Sequence, residues 1–405
     1  MNIFYKIMIL LFASGATAAL AQMVLLREIA NQVFLTADII FFTAISWIAG
    51  AVMAFQALKK QAKGKSPEKN LNFTAAIMPV INAFYITGAV ILVRYFKPVL
   101  KLGPETPAPG WAAQVMCIAV FVPIAFMAFA SIFTLMEALK KSKAPKFMPV
   151  TAASVLAGIA AAYVIYVFWA VKYYTNLDVV YTLGIFNLAI VYLFFRDKTM
   201  EGRWIMLTTI GALIIYIGFN IAGVKQKVDE TSSRALYAGY TIIAQKEFPT
   251  VNFCMAKKGE EYRVFENGTT AYKIPDPQYP MIARLAKGPR VLVINGGLAG
   301  MANALSKNNT VKEMVCVEAD PYIAVVLEKA YRNGIQTGKR IDYVSAHDTR
   351  GIAEAIKDKG RFNSIIIYPR LPGSSEGRYY FSPEFKALLD NMLEKDGQMI
   401  YGGNK

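Results

Sequence analysis

The sequence predicts an α-helical, multi-span membrane bundle followed by an α/β domain, a doubly wound parallel sheet preceded by a small β subdomain. Three observations carry this. The 405 residues are 55% hydrophobic and only 18% charged, with a mean hydropathy of +0.35, where soluble domains run nearer about a quarter charged. Long apolar runs fill the first 224 residues. Beyond residue 290, short β-like runs alternate with helical patterns, the signature of βαβ units.

The apolar runs are approximately 3–22, 36–58, 73–94, 111–138, 149–171, 178–195 and 204–224. Each suits the ~20 residues that a ~30 Å hydrocarbon layer requires. Their interiors read as free of ionisable residues, with Asp38, Glu137 and Asp178 at the ends. Intramembrane charges mark ion and proton paths, so a carrier of polyamines or other cations through the bundle has no support here. Ala- and Gly-rich stretches such as Ala152–Ala162 instead suit close packing of an anchor bundle.

Charge gives orientation. Residues 1–224 contribute 18 Lys+Arg against 8 Asp+Glu, and 225–405 contribute 26 against 20, which together make the net +16. In the first half these charges cluster between apolar runs, so the high pI reflects membrane-flanking loops and nucleic acid is not an expected partner. Numbering seven spans, the N-terminal side carries 13 basic residues (Lys6, the 59–69, 140–146 and 196–203 clusters) and the other side 5. The positive-inside rule then puts the N-terminus in the cytoplasm of a bacterial-type inner membrane. The C-terminal domain follows on the non-cytoplasmic side. The cysteines Cys117, Cys254 and Cys316 show no paired spacing, and the single His347 has no companions, so no metal site is expected.

In the second half Tyr240–Ala244, Val251–Met255 and Tyr262–Phe265 read as strands, with turns at Lys258–Gly259 and Asn267–Gly268. After the breaker Pro275–Asp276–Pro277 come strand Val291–Ile294, a helix opening at Met301–Leu305 and strand Glu313–Val317. A helix from Pro321 to about Arg332, strand Ile341–Val344, a helix near Gly351–Lys357, strand Ser364–Ile367 and a helix Ser382–Leu393 complete the pattern. The domains are therefore 1–224 (seven spans), 225–280 (small β subdomain) and 281–405 (α/β).

The richest stretch is Val291-Leu-Val-Ile-Asn-Gly-Gly-Leu-Ala-Gly300, a buried strand running into a glycine turn and a helix. Glycines let a backbone approach a ligand, and a helix start offers N–H groups. Glu318 ends the next strand, 18 residues after Gly300, where an acid can accept from both hydroxyls of a ribose. The alternative is a tight βα turn with an incidental acid. Asp348, after the third strand, can accept from an exocyclic amine such as that of adenine. The loop after the fourth strand, Ile367-Tyr-Pro-Arg-Leu-Pro-Gly373, holds no carboxylate before Glu376.

Together these residues resemble the polyamine aminopropyltransferases (spermidine synthases), specifically their membrane-fused branch, over the whole chain. The pieces follow in family order: Ser14–Gln22 with Leu25-Leu-Arg-Glu28, Phe265-Glu-Asn-Gly268 with Pro275-Asp-Pro277, the glycine loop, Glu318-Ala-Asp-Pro321, Asp348 with Arg350, and Arg378–Phe385. The resemblance implies a Rossmann-like methyltransferase/spermidine synthase fold. It also implies a pocket for decarboxylated S-adenosylmethionine or methylthioadenosine, with Asn295, Gly296, Gly297 and Gly300 lining the nucleoside, Glu318 on its ribose and Asp348 on its adenine. It equally marks departures. Tyr368 stands at the catalytic Asp position, Gln278-Tyr-Pro-Met-Ile282 replaces the amine-binding Tyr-His-Glu segment, and Asn295 and Ala299 replace glycines. The expectation is a membrane protein with an adenosine-type pocket and weak or lost aminopropyl transfer. The alternative is a non-catalytic structural or accessory subunit of a membrane complex.

Overall fold

The computed structural model describes residues 3–32, 37–62, 67–106, 108–142, 146–195, 200–247, 252–266, 268–319, 321–331, 339–346, 350–369 and 378–402. The chain forms two compact units, Met1–Ala238 and Gly239–Lys405.

The first unit is helical: α1 (Ile3–Ala30), α2 (Ala37–Ala62), α3 (Pro67–Arg94), α4 (Gly110–Lys141), α5 (Phe147–Ile165), α6 (Asn176–Phe195), α7 (Met200–Ile221) and α8 (Val224–Leu236). A π turn, Tyr166–Ala170, prolongs α5. Among the described residues, seven helices are long and apolar enough to cross a membrane, Phe4–Ala30 first and Arg203–Ile221 last. Large apolar side chains such as Phe41, Ile48, Phe168, Trp204 and Ile214 are exposed on them. α1 and α5 touch backbone to backbone: a Cβ on Gly158 would lie 2.0 Å from the Phe12 carbonyl oxygen, and one on Gly15 2.4 Å from that of Val155. Only hydrogen fits at such a crossing, which is how small residues bring membrane helices together.

One sequence expectation is corrected here. The first helix does not stop near residue 22 but continues to Ala30 and buries Glu28, which is 1% exposed. The bundle is therefore not without buried charge. Arg94, at the end of α3, neutralises it, with Nε and Nη2 donating to Glu28 at 3.1 and 2.9 Å. Its Nη1 donates to Asp229 and, at 3.1 Å, to Ser232, both on α8. Asn176, opening α6, donates to Glu28 at 3.0 Å and accepts from the Tyr166 hydroxyl at 3.2 Å. A buried carboxylate is tolerable only when it is paired and hydrogen-bonded in this manner. The network also fixes parity. The ends of α1 and α3 meet the start of α6 and Asp229 and Ser232 of α8, as seven alternating helices require, so α8 leaves the bundle on the face opposite the N-terminus.

The second unit holds two sheets. β1 (Thr241–Glu247), β2 (Asn252–Lys258), β3 (Glu261–Glu266) and β4 (Thr269–Ile274) form an antiparallel meander in sequence order. The sequence reading contained the first three but not β4. After α9 (Tyr279–Leu285) come β5 (Arg290–Ile294), α10 (Ala302–Ser306), β6 (Glu313–Glu318), α11 (Pro321–Tyr331), β7 (Arg340–Ser345), α12 (Ile352–Ile356), β8 (Phe362–Ile367), α13 (Pro383–Asp390) and β9 (Leu393–Tyr401). The five strands are parallel in the order β7-β6-β5-β8-β9. The helix expected over 382–393 is shorter, and Leu393 instead opens the fifth strand.

Strand alternation explains the two cores. Val291, Val293, Met314, Cys316 and Ile366 face one side, packing with α9, α10, α11 and the antiparallel sheet. Leu292, Ile294, Val315, Val317 and Ile367 face the other, against α12 and α13. Strand order reverses between β5 and β8, which is where doubly wound sheets open a crevice at the carboxyl ends of their strands.

Candidate functional site

The end of β5 is held by Asn295, a residue with φ +63° and no exposure. Asn tolerates this left-handed conformation better than most side chains. Its backbone N–H donates to Val317 at 2.8 Å, its Oδ1 accepts from the Ala319 N–H at 3.0 Å, and its Nδ2 donates to the Tyr380 hydroxyl at 2.7 Å. Asn295 thus ties β5 to β6 and to the segment before α13, and its side chain is fully engaged within the protein.

Gly296 (φ +77°) follows, then a π turn Gly297–Met301 containing Gly300 (φ +116°). A Cβ on Gly297 would lie 2.7 Å from the Cys316 Cβ, so this glycine lets the turn press on β6. A Cβ on Gly296 would lie 2.9 Å from the Tyr279 hydroxyl. The space over the loop backbone is therefore occupied by a tyrosine of the protein itself.

Glu318 lies at the carboxyl end of β6 as expected and is 4% exposed. One oxygen accepts from the Tyr272 hydroxyl on β4 at 2.9 Å, the other from the Gly296 N–H at 3.3 Å. Tyr368, one residue past β8, donates its hydroxyl to Asp276, whose other oxygen accepts from the Gln278 N–H at 2.8 Å. The rings close up: Tyr272 stacks on Tyr368 at 6.5 Å between centroids, and Tyr279 meets Tyr368 edge-on at 5.1 Å.

The structure thus brings Asn295, Gly296, Gly297, Gly300, Glu318 and Tyr368 together. Asp348, with His347 and residues 370–377, lies outside the described residues. Tyr272, Asp276, Tyr279 and Tyr380 were missed from sequence; the available signal was an Asp held between two prolines just ahead of a tyrosine.

Burial raises the Tyr368 phenol well above its ordinary value, and the bond to Asp276 with that residue's charge raises it further. The Tyr279 phenol is raised by burial first, then by Tyr368, Asp276 and Glu318. Burial, with Glu318 and Asp342, pushes the Cys316 thiol up to about 12. At neutral pH the site therefore presents neutral phenols and a neutral thiol around two carboxylates that already accept from tyrosine hydroxyls. No group of three His, Cys, Asp or Glu placed to hold a metal occurs among the described residues.

No protein-family profile matches the sequence, and no curated protein does. Among solved structures, a spermidine synthase in complex with the transition-state analogue AdoDATO is similar over 39% of this chain and 57% of its own, at 20% identity and TM-score 0.33. The spermidine synthase of Thermotoga maritima is similar over 39% of this chain and 56% of its own, at 19% identity and TM-score 0.31. The chain spans a little over half the length of these enzymes.

Proposed function

We infer that this chain is a multi-pass membrane protein whose C-terminal domain has a spermidine-synthase-like fold but no aminopropyl transfer, and that it serves as a non-catalytic structural or accessory subunit of a membrane complex. The observation that carries this is the pairing of both site carboxylates with tyrosine hydroxyls, Asp276 with Tyr368 and Glu318 with Tyr272. Transfer to an amine needs a base at the reacting nitrogen and carboxylates for the distal ammonium groups. Tyr368, neutral near pH 7 and pushed further from ionisation by burial, supplies neither. Decarboxylated S-adenosylmethionine and methylthioadenosine fit the residues poorly, because Glu318 is engaged and Tyr279 covers Gly296.

A second reading, retention of a nucleoside pocket, is favoured by the backbone at Gly296 and Gly300, which keeps the bend a ligand-cradling loop uses. The sidedness read from charge bears on it. Sulfonium nucleosides are made inside the cell, so a non-cytoplasmic domain would lack its cosubstrate. The test is direct. Purified full-length protein with decarboxylated S-adenosylmethionine and putrescine should give no transfer above a buffer blank; turnover near about 1 per second, a low value for an enzyme, abolished by Glu318→Ala, overturns the reading. Calorimetry with methylthioadenosine separates the two readings. Heat that Glu318→Ala diminishes by about 1–3 kcal/mol of affinity selects the pocket, and no heat selects the scaffold.

A further inference from the structure

At the far end of the glycine loop, lined by Gly300, Asp276 and Tyr279 but not by Glu318, Gly296, Gly297 or Tyr272, lies a cleft of about 640 Å³ between α9 and α10. That volume falls in the range of about 300–1,000 Å³ that small-molecule sites occupy. Its floor is apolar: Ile274, Pro275, Pro280, Ala304 and the ring of Tyr279. Its rim is basic. Arg284, in the last turn of α9, and Lys307, just past α10, both line it, both are exposed, and neither forms an ion pair among the described residues.

The other polar lining groups are largely engaged. Asp276, the sole acid of the lining, accepts from Tyr368 and from Gln278. Asn308 donates to the carbonyls of Ala283 and Ala286 at 2.8 and 3.0 Å and accepts from Thr310. These bonds lock the two walls together, so the cleft is a preformed shape. Besides the Gly300 backbone, Asn303 and Asn309, the rest of the lining is an apolar floor with two exposed cations, Arg284 on α9 and Lys307 just past α10.

We propose that this cleft binds a small organic anion, a carboxylate or phosphate monoester carried on a flat apolar body. The body lies over Pro280, Ala304 and the Tyr279 ring, and the charged end bridges Arg284 and Lys307. The cleft shares Asp276, Tyr279 and Gly300 with the edge of the glycine-loop site, while the two cations that take the anion, Arg284 and Lys307, belong to the cleft alone.

The test uses full-length protein in a non-ionic detergent and 4-fluorophenyl phosphate as the probe, read by fluorine NMR line broadening. Saturable broadening is expected, displaced by benzoate and not by benzylamine. Arg284→Gln with Lys307→Gln should weaken it about tenfold or more, about 1.4 kcal/mol. Ala304→Phe, which fills the floor and keeps both cations, should abolish it. Both cations are exposed, so the folded state of the variants can be checked by an unchanged melting temperature. Displacement of the probe by benzylamine as effective as that by benzoate, survival of binding in the Ala304→Phe protein, or no saturable binding of the phosphate overturns the proposal.

Discussion

Replacing Arg94 with Met keeps most of its volume and removes its charge. In the structure Arg94 is 3% exposed and Glu28 1% exposed, and Arg94 makes two of the three hydrogen bonds found on Glu28; the third comes from Asn176. Arg94→Met therefore leaves a buried carboxylate with one amide donor. Breaking a buried pair from one side costs about 3–5 kcal/mol. Asp229, 27% exposed, can hydrate and adds little. For a bundle of this size the loss corresponds to a melting temperature lower by roughly 10 °C. Glu28→Gln in the same background removes the stranded charge and should recover more than half of the loss, a coupling of at least about 1.5 kcal/mol. Arg94→Lys should fall between the parent and Arg94→Met, because an ammonium still neutralises Glu28 but cannot reproduce the two-point contact of the guanidinium. The assay is thermal unfolding of the detergent-solubilised chain by helical circular dichroism. A single variant melting within about 2 °C of the parent, or a double variant showing no recovery, would refute the reasoning.

The remaining predictions concern sidedness, alkaline pH and thiol access. A cytoplasm-only reporter fused at Lys405 should be inactive and a periplasm-active one should work; the reverse pattern removes the seven-span orientation. Tyr279 and Tyr368 have folded pKa values raised above the unfolded value near 10, so above that pH the unfolded chain releases protons that the folded chain keeps. Stability should accordingly be flat below about pH 10 and fall as pH rises past it. Absorbance titration should find these two phenols unionised until the domain unfolds, and Tyr368→Phe should flatten the decline while costing about 1–3 kcal/mol at pH 7 through the unmet Asp276. Cys117, Cys254 and Cys316 are all buried, and with a pKa of about 12 only about one in ten thousand Cys316 thiols is ionised at pH 8. Maleimide should therefore label none of the three before denaturant is added, and prompt native labelling would contradict the packing.

The seven long apolar helices were legible because a membrane-length apolar run is a local signal, and the central parallel strands because burial on both faces makes them continuous apolar runs. What escaped was non-local. Glu28 acquires its meaning from Arg94, 66 positions away, and Arg94 from Asp229, a further 135 away, so nothing near Glu28 in the sequence marks it as buried. β9 escaped for a different reason. Its first half, Leu393-Glu-Lys-Asp-Gly397, reads as a polar turn, and an edge strand carries charges there without loss. At the site, the glycine turn and the spacing to Glu318 were readable. The pairings that engage its acids were not, because Tyr272 comes from β4 and meets Glu318 46 positions on, and Tyr368, though placed at the site, lies 92 positions from Asp276.

The bond between Tyr368 and Asp276 bears on the evolutionary reach of this fold. Replacing Tyr368 with Asp would withdraw the hydroxyl that Asp276 accepts from and set a second carboxylate in the same buried neighbourhood. Like charges so placed cannot both ionise comfortably, and Tyr272 would lose its stacking partner and Tyr279 its edge-on one. An acid at position 368 would therefore lower stability unless position 276 changed with it. The two positions are coupled, and exchange at one is conditioned by the residue at the other.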